Sequence, residues 1–201
     1  WTGHTRIRAR RVVVTAGSWI PRLLPGPFDQ VLRVERRVLG WFRTTDPSSR
    51  HTNGPVFARN EADGTLWYGF PSLDGRTVKI GVHAEAPGTR RPGTQWGEPV
   101  DPRVGPKEPD TADAARLGEL AAALRGVEDV PERMSVCMYT MTPDEHFLIG
   151  PHRDLPGLVV AGGFSGHGHK FASAVGAALA DLAVDDHTAL PVDMFDPHRP
   201  F

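Results

Sequence analysis

The one cysteine of the chain, Cys137, lies in Cys137-Met138-Tyr139-Thr140-Met141-Thr142-Pro143-Asp144-Glu145-His146-Phe147. Downstream runs the glycine-rich stretch Gly162-Gly163-Phe164-Ser165-Gly166-His167-Gly168-His169-Lys170-Phe171. A lone thiol makes no internal disulfide, so Cys137 is a buried apolar filler, a nucleophile or an attachment point. As a nucleophile it would take His146 or His167 as base and Asp144 as orienter, spacings that fit no hydrolase signature. A glycine-rich turn from strand to helix frees backbone N–H groups for an anion, a property many anion sites share. Lys79, between Val78 and Ile80, points to the strand face opposite both, which is also what the solvent side of an edge strand looks like. His83 ends the same stretch. Tyr68 and Tyr139 are the only tyrosines, and the nine histidines show no His-x-x-x-His spacing, so no zinc site is expected.

The elements that must position these residues follow from periodicity. Thr5–Ala9 alternates, and the β-branched run Val12–Val14 leads into Thr15-Ala16-Gly17, the pattern of a buried strand ending in a small-residue turn. Val31 to Phe42 reads as a strand, and Asp46 to Pro55 as a loop. Val56–Arg59, Thr65–Phe70 and Thr77–His83 form an antiparallel meander, with Asp74-Gly75 as the last turn. Proline and glycine crowd Pro87 to Pro109, an expected exposed loop. Asp110 or Thr111 should cap a helix whose Leu117, Leu120, Ala121 and Leu124 share one face and which Gly126 ends; it packs and carries no chemistry. Met134–Thr140 returns to strand. Gly157–Ala161 is a buried strand, followed by the glycine turn and a helix from about His169 to Ala183. Strands Val12–Val14 and Leu158–Ala161 are expected in a sheet lacking its central members, with exposed edges and poor solubility of the isolated chain.

Composition excludes more than it specifies. The formal net charge of −1 gives no reason to expect nucleic acid or an anionic membrane. No apolar run approaches the roughly 20 residues of a membrane span, and no signal segment opens the chain. A cytoplasmic protein is expected, and a lone cysteine suits a reducing compartment.

Four blocks taken in order carry a resemblance: Val12-Val13-Val14-Thr15-Ala16-Gly17-Ser18-Trp19, Tyr68-Gly69-Phe70-Pro71-Ser72, Val78-Lys79-Ile80-Gly81-Val82-His83, and the Cys137 and glycine segments together. They resemble the C-terminal part of the monomeric sarcosine oxidase and N-methyl amino acid oxidase family, within the D-amino acid oxidase-like superfamily. The match is weak only from about Ala86 to Arg133. The chain opens on Trp1 and holds no Gly-x-Gly-x-x-Gly after a strand. The resemblance therefore implies the C-terminal portion of a longer enzyme. The implied fold is α+β to α/β, part of a FAD-binding Rossmann-like domain plus an antiparallel-sheet substrate domain, with the N-terminal dinucleotide-binding half missing. Residues 1–29 would supply a FAD-domain strand segment, 30–136 the substrate domain and 137–201 the C-terminal FAD-domain segment.

The resemblance also assigns roles. Cys137 would be bonded through sulfur to the 8-methyl carbon of FAD. Ala16, Gly17 and Trp19 would touch the cofactor from the first turn, and Gly163, Phe164, Gly166, His167, Gly168 and Lys170 from the second. Lys79 would hold a positive charge over flavin N5 and favour electron transfer to dioxygen. Lys170 and His83 would meet the substrate carboxylate, with Tyr68 and Tyr139 lining the pocket; Lys79 and His83 are the catalytic candidates. The implied reaction is oxidation of a secondary amino acid such as sarcosine to an imine, which water hydrolyses, with hydrogen peroxide released on reoxidation. Alternatives are fructosyl amino acid, pipecolate or N-methyltryptophan oxidation, or a catalytically inactive remnant. The expected partners are a small amino acid and dioxygen, with no nucleic acid or membrane, and the full-length protein is expected to be a monomer. One departure is His169, which stands where these relatives usually have phenylalanine.

Overall fold

A computed structural model describes residues 4–46, 48–85 and 97–201. Among the described residues eight strands occur: β1 (Val12–Val14), β2 (Arg33–Thr44), β3 (Phe57–Asn60), β4 (Leu66–Phe70), β5 (Thr77–Ala84), β6 (Val127–Met141), β7 (Leu148–Pro151) and β8 (Leu158–Gly162). Three single-turn helices, α1 (Ile20–Leu23), α2 (Phe28–Val31) and α3 (Arg50–Asn53), precede two longer ones, α4 (Thr111–Ala121) and α5 (Ala172–Val184). Contacts divide the chain into two units, Trp1–Val34 with Tyr139–Phe201, and Glu35–Met138. The chain passes between them within β2 and β6. Among the described residues no helix is long and apolar enough to cross a membrane.

The Glu35–Met138 unit is built on a five-stranded sheet of order β3-β4-β5-β2-β6. The expected meander is present: β3, β4 and β5 pair antiparallel in succession, and β5 then pairs with β2. Alternation sends Val38 and Phe42 of β2, Trp67 of β4 and Val78, Ile80 and Val82 of β5 to one face. There they meet Leu117, Leu120, Ala121 and Leu124 of α4 in one core. A period of 2 on the strands and of 3.6 on the helix aligns the two apolar surfaces. Each fully buried side chain of this size contributes about 1.5–3 kcal/mol.

Asp110 caps α4 by accepting from the N–H groups of Ala112 and Asp113, and the Asp113 carboxylate accepts from Asp110 N–H in return. The same Asp113 accepts a forked pair from Arg36 at 3.0 and 2.7 Å, both side chains being buried. Arg36 also donates to the carbonyls of Lys107 and Glu108.

That contact corrects the expected exposed loop. Pro87 to Trp96 lie outside the described residues, but the later part is tied along β2, with a bridge between Glu35 and Pro99. The expected loop at Asp46–Pro55 contains α3, capped by Ser49, which accepts from His51 N–H. β6 starts seven residues before Met134, and it tolerates Pro131 because it is an edge strand.

In the other unit a three-stranded sheet has the order β1-β8-β7. β1 runs parallel to β8, with Val12 opposite Leu158, and β7 runs antiparallel to β8. The central strand is covered on both faces. One face carries Phe147, Ile149, Val159 and Ala161 against Leu179 and Leu182 of α5, and the other carries Leu148 and Val160 against Ile20, Phe28 and Leu32. A strand buried on both sides reads as a continuous apolar run, as Leu158–Ala161 does.

Two expectations fail here. Thr5–Ala9 is not a strand: only Thr5 makes a bridge, and alternation alone does not supply the ladder an extended backbone needs. Val12–Val14 is not a buried strand, because β1 is an edge of this sheet and Val12 and Val13 are 49% and 41% exposed. It also pairs directly with β8, with no missing strand between the two.

Candidate functional site

Strand register decides which side chains share the open face of the five-stranded sheet. Val78, Ile80 and Val82 point into the core, so Lys79 and Gly81 point away from it, while His83 is the extra residue at the register shift between β4 and β5. Lys79 pairs with Trp41 on β2 and with Phe70 on β4; Gly81 pairs with Leu39 and Tyr68. Paired residues share a face, which puts Tyr68, Phe70, Leu39 and Trp41 beside Lys79. On β6, Met134 and Val136 pack on the core, so Cys137 points to the open side.

Three aromatic and charged contacts shape this face. The Lys79 ammonium lies 4.4 Å from the Phe70 ring centre and 5.9 Å from that of Trp41. The guanidinium of Arg133 stacks on Trp41 at 3.8 Å. Rings hold a cation by their negative faces and leave its charge available to a ligand. Beside them a cavity of about 470 Å³ is lined by Trp41, Phe70, Pro71, Leu73, Asp74, Thr77 and Lys79. A side chain at Gly81 would meet the Tyr68 ring at 2.8 Å, so the glycine makes room for the tyrosine. Burial pushes the Cys137 thiol up from its ordinary pKa, while the charges of Arg37 and Lys79 pull it partly back.

The second arrangement lies wholly in the unit of three strands. After β1, Ala16 O accepts from Trp19 N–H at 3.0 Å, closing a short turn over Gly17–Trp19; Trp19 is 46% exposed. After β8, the glycine loop leads through a tight turn at His169–Phe171 into α5, and neither helical start has a side-chain cap. Phe164, Gly168, His169 and Thr15 help line a cavity of about 360 Å³ against α5. Lys170 is exposed, with its ammonium 5.6 Å from the Phe171 ring centre. His167 stacks on Phe147 at 5.0 Å and lies 3.1 Å from the carbonyl of Glu145.

Sequence reasoning missed the residue that shapes this loop. Ser165 is fully buried at φ +48°. Its N–H donates to Thr140 O, its hydroxyl donates to Gly163 O, and it accepts from Thr142 N–H. Thr140 in turn shares a hydrogen bond with Ser18 at 3.0 Å, which joins the two turns. The signal was a lone serine inside a glycine run. Trp41, Phe70 and Arg37 were missed because only register brings them beside Lys79 and Cys137.

The glycines divide into two kinds. A side chain at Gly166 would lie 2.0 Å from the Tyr139 ring, one at Gly163 2.6 Å from Thr142, and one at Gly168 2.5 Å from Phe164. These three are required by the protein's own packing. At Gly17, φ is +51° but nothing lies within 4 Å of an added side chain, so that turn is open to a ligand.

The expected outcome is that Gly166→Ala costs about 2–4 kcal/mol, from the left-handed backbone and the overpacked tyrosine together. Gly17→Ala should cost only the backbone share, about 1–2 kcal/mol. Urea unfolding of the two variants checks the difference; equal costs would contradict it.

One unit thus holds a glycine turn between strand and helix, and the other an antiparallel sheet with a lysine and a thiol on its open face. Residues 1–182 match the family described as DAO, FAD dependent oxidoreductase, and the chain belongs to that family. It is 33% identical to the monomeric sarcosine oxidase of Arthrobacter sp. (strain TE1826), over 99% of this chain and 49% of that protein. It is 32% identical to the N-methyl-L-tryptophan oxidase of Yersinia pestis (strain Pestoides F), over 93% of this chain and 47% of that one. The chain thus spans about half the length of these relatives.

Two solved structures share the fold. A thermally stable mutant of fructosyl peptide oxidase superposes with a TM-score of 0.73 at 20% identity, covering 100% of this chain and 48% of that one. Amadoriase I from Aspergillus fumigatus gives 0.67 at 24%, covering 94% and 42%. Within the three-stranded unit, the open positive-φ turn at Gly17 and the uncapped helix N–H groups suit the phosphates of a dinucleotide such as FAD.

Proposed function

We propose that the whole protein is a FAD-dependent oxidase of secondary amino acids such as sarcosine, using dioxygen and releasing hydrogen peroxide, monomeric and cytoplasmic. The observation that carries this reading is the shared open face of Tyr68, Lys79 and Cys137. Bound FAD would take a hydride equivalent from the carbon next to the amine nitrogen and pass two electrons to dioxygen.

The chain's own residues then have separate tasks. Cys137 anchors the cofactor through its sulfur. Ala16, Gly17 and Trp19, with Gly163, Phe164, Gly166, His167 and Gly168, hold it by backbone and ring contacts. Lys79 supplies a fixed positive charge. Lys170 and His83 orient the substrate carboxylate, and Tyr68 and Tyr139 wall the substrate. Residues 1–29 and 137–201 serve the cofactor, and 30–136 the substrate.

The nearly equal identities to the sarcosine and N-methyltryptophan oxidases keep larger N-methyl amino acids within the proposed class. The test mixes full-length protein anaerobically with sarcosine, N-methyl-L-tryptophan, L-pipecolate and a fructosyl amino acid. Bleaching of the oxidised-flavin band by at least one secondary amine is expected, with peroxide formed on admitting air. A flavin that none of the four bleaches would overturn the reading.

A further inference from the structure

We propose that Arg199, in the C-terminal tail, is a positioning residue for the glycine loop: it locks the Asp144–Phe147 turn on which that loop rests. The link from loop to cofactor rests on the reading given under Proposed function; the link from tail to loop does not.

The glycine loop has little hold of its own. Gly163, Ser165 and Gly166 are all at positive φ, and the helix start that follows has no side-chain cap. Its outer contacts go largely to one segment, Thr142–Phe147. Ser165 is bonded to Thr142, His167 lies against the Glu145 carbonyl, and Phe164, His167 and Phe171 surround the Phe147 ring with centres 5.0, 5.0 and 5.5 Å away.

That segment is itself irregular. Glu145 is a non-glycine residue at φ +59°, and the carbonyls of His146 and Phe147 accept from side chains. Thr142 donates to His146 O at 2.6 Å. Arg199, 55 residues away in sequence, does the rest. Its Nε and Nη2 grip both carboxylate oxygens of Asp144 at 2.9–3.0 Å, and Nη1 donates to Phe147 O at 2.8 Å. Asp144 in turn accepts from His146 N–H. Partial burial would raise the Asp144 carboxyl, but Arg199, the His146 N–H and Thr142 hold it below the ordinary range. The guanidinium is only 13% exposed and is itself steadied by Asp196 O and the face of Phe201.

A planar fork serving a carboxylate and a carbonyl together is a task that an ammonium does incompletely. Without it, Asp144 keeps its charge, the Phe147 carbonyl loses its donor, and the turn relaxes away from the loop.

The experiment compares full-length wild type with Arg199→Ala, Arg199→Lys, Asp144→Asn and the Arg199→Ala/Asp144→Asn double variant by hydrogen exchange and, with each carried in a Cys137→Ala background so that the flavin is releasable, by the FAD concentration that restores the flavin spectrum after its removal. The amides of Gly162–Lys170 should exchange about tenfold or more faster in each Ala or Asn variant. The double variant should be no faster than the singles, Arg199→Lys should lie between, and α4 and β5 should not change. Flavin affinity should fall in parallel. Uniformly faster exchange throughout the chain, or an unchanged loop, overturns the proposal. A loosened loop with unchanged flavin affinity overturns its link to the cofactor. Wild type without flavin overturns the oxidase reading alone, because the exchange comparison still decides the clamp.

Discussion

Full-length protein, precipitated in acid and washed, should remain yellow, with a flavin mass on the peptide that contains Cys137; Cys137→Ala should give a colourless precipitate. Cys137 is the one cysteine of these 201 residues. Sulfur is the suitable atom. A thiolate is a strong nucleophile near neutral pH, and a serine hydroxyl in the same place is not. The position of Cys137 cuts both ways: burial favours the neutral thiol, while Arg37 and Lys79 favour the thiolate. With the thiol pKa raised, the neutral form dominates at pH 7, so attachment to added FAD should quicken as pH rises towards the titration of Cys137. Yellow colour retained by Cys137→Ala, or a colourless wild type, would remove the anchor from the proposed function.

Lys79→Met is expected to slow reoxidation by dioxygen about 10³-fold while leaving reduction by the amine within a few fold. The figure follows from one unit charge acting at ~4 Å in an effective dielectric of ~20, about 4 kcal/mol, on a step in which negative charge develops. Oxyanion-type stabilisation lost by mutation falls in a similar range, about 10²–10³-fold. Methionine keeps the apolar stem against Phe70 and Trp41, so the face should retain its packing and lose only the charge. Lys79→Arg should retain most of the rate. Stopped-flow mixing of substrate-reduced enzyme with dissolved oxygen measures the step directly. Equal reoxidation rates in wild type and Lys79→Met would leave Lys79 with a packing role on the open face.

The two predictions draw on different levels of information. Cys137 stood out by count alone, and its neighbours in sequence suggested attachment. Lys79 was ambiguous in sequence, since a lysine between Val78 and Ile80 is the ordinary look of a solvated strand face. What separates it from a surface lysine is the pair of rings from β2 and β4, 38 and 9 residues away along the chain.

Local pattern determined the meander β3–β5, the capped helix α4, the strand–glycine–helix unit of β8 and α5, and the side of β5 on which Lys79 and His83 stand. Apart from His83, which lies at a register shift, these depend on alternation, turn residues and capping within a few positions of one another, which is information a sequence carries directly. The tertiary structure alone decided that β1 is an exposed edge paired with β8, that Thr5–Ala9 forms a single bridge and no strand, and that Trp41, Phe70 and Arg37 face the lysine and the thiol. It alone also decided that Ser165, Thr142 and Arg199 shape the glycine loop. Each of these is a pairing across many residues, set by strand register and by which buried donors and acceptors find one another once the chain has closed.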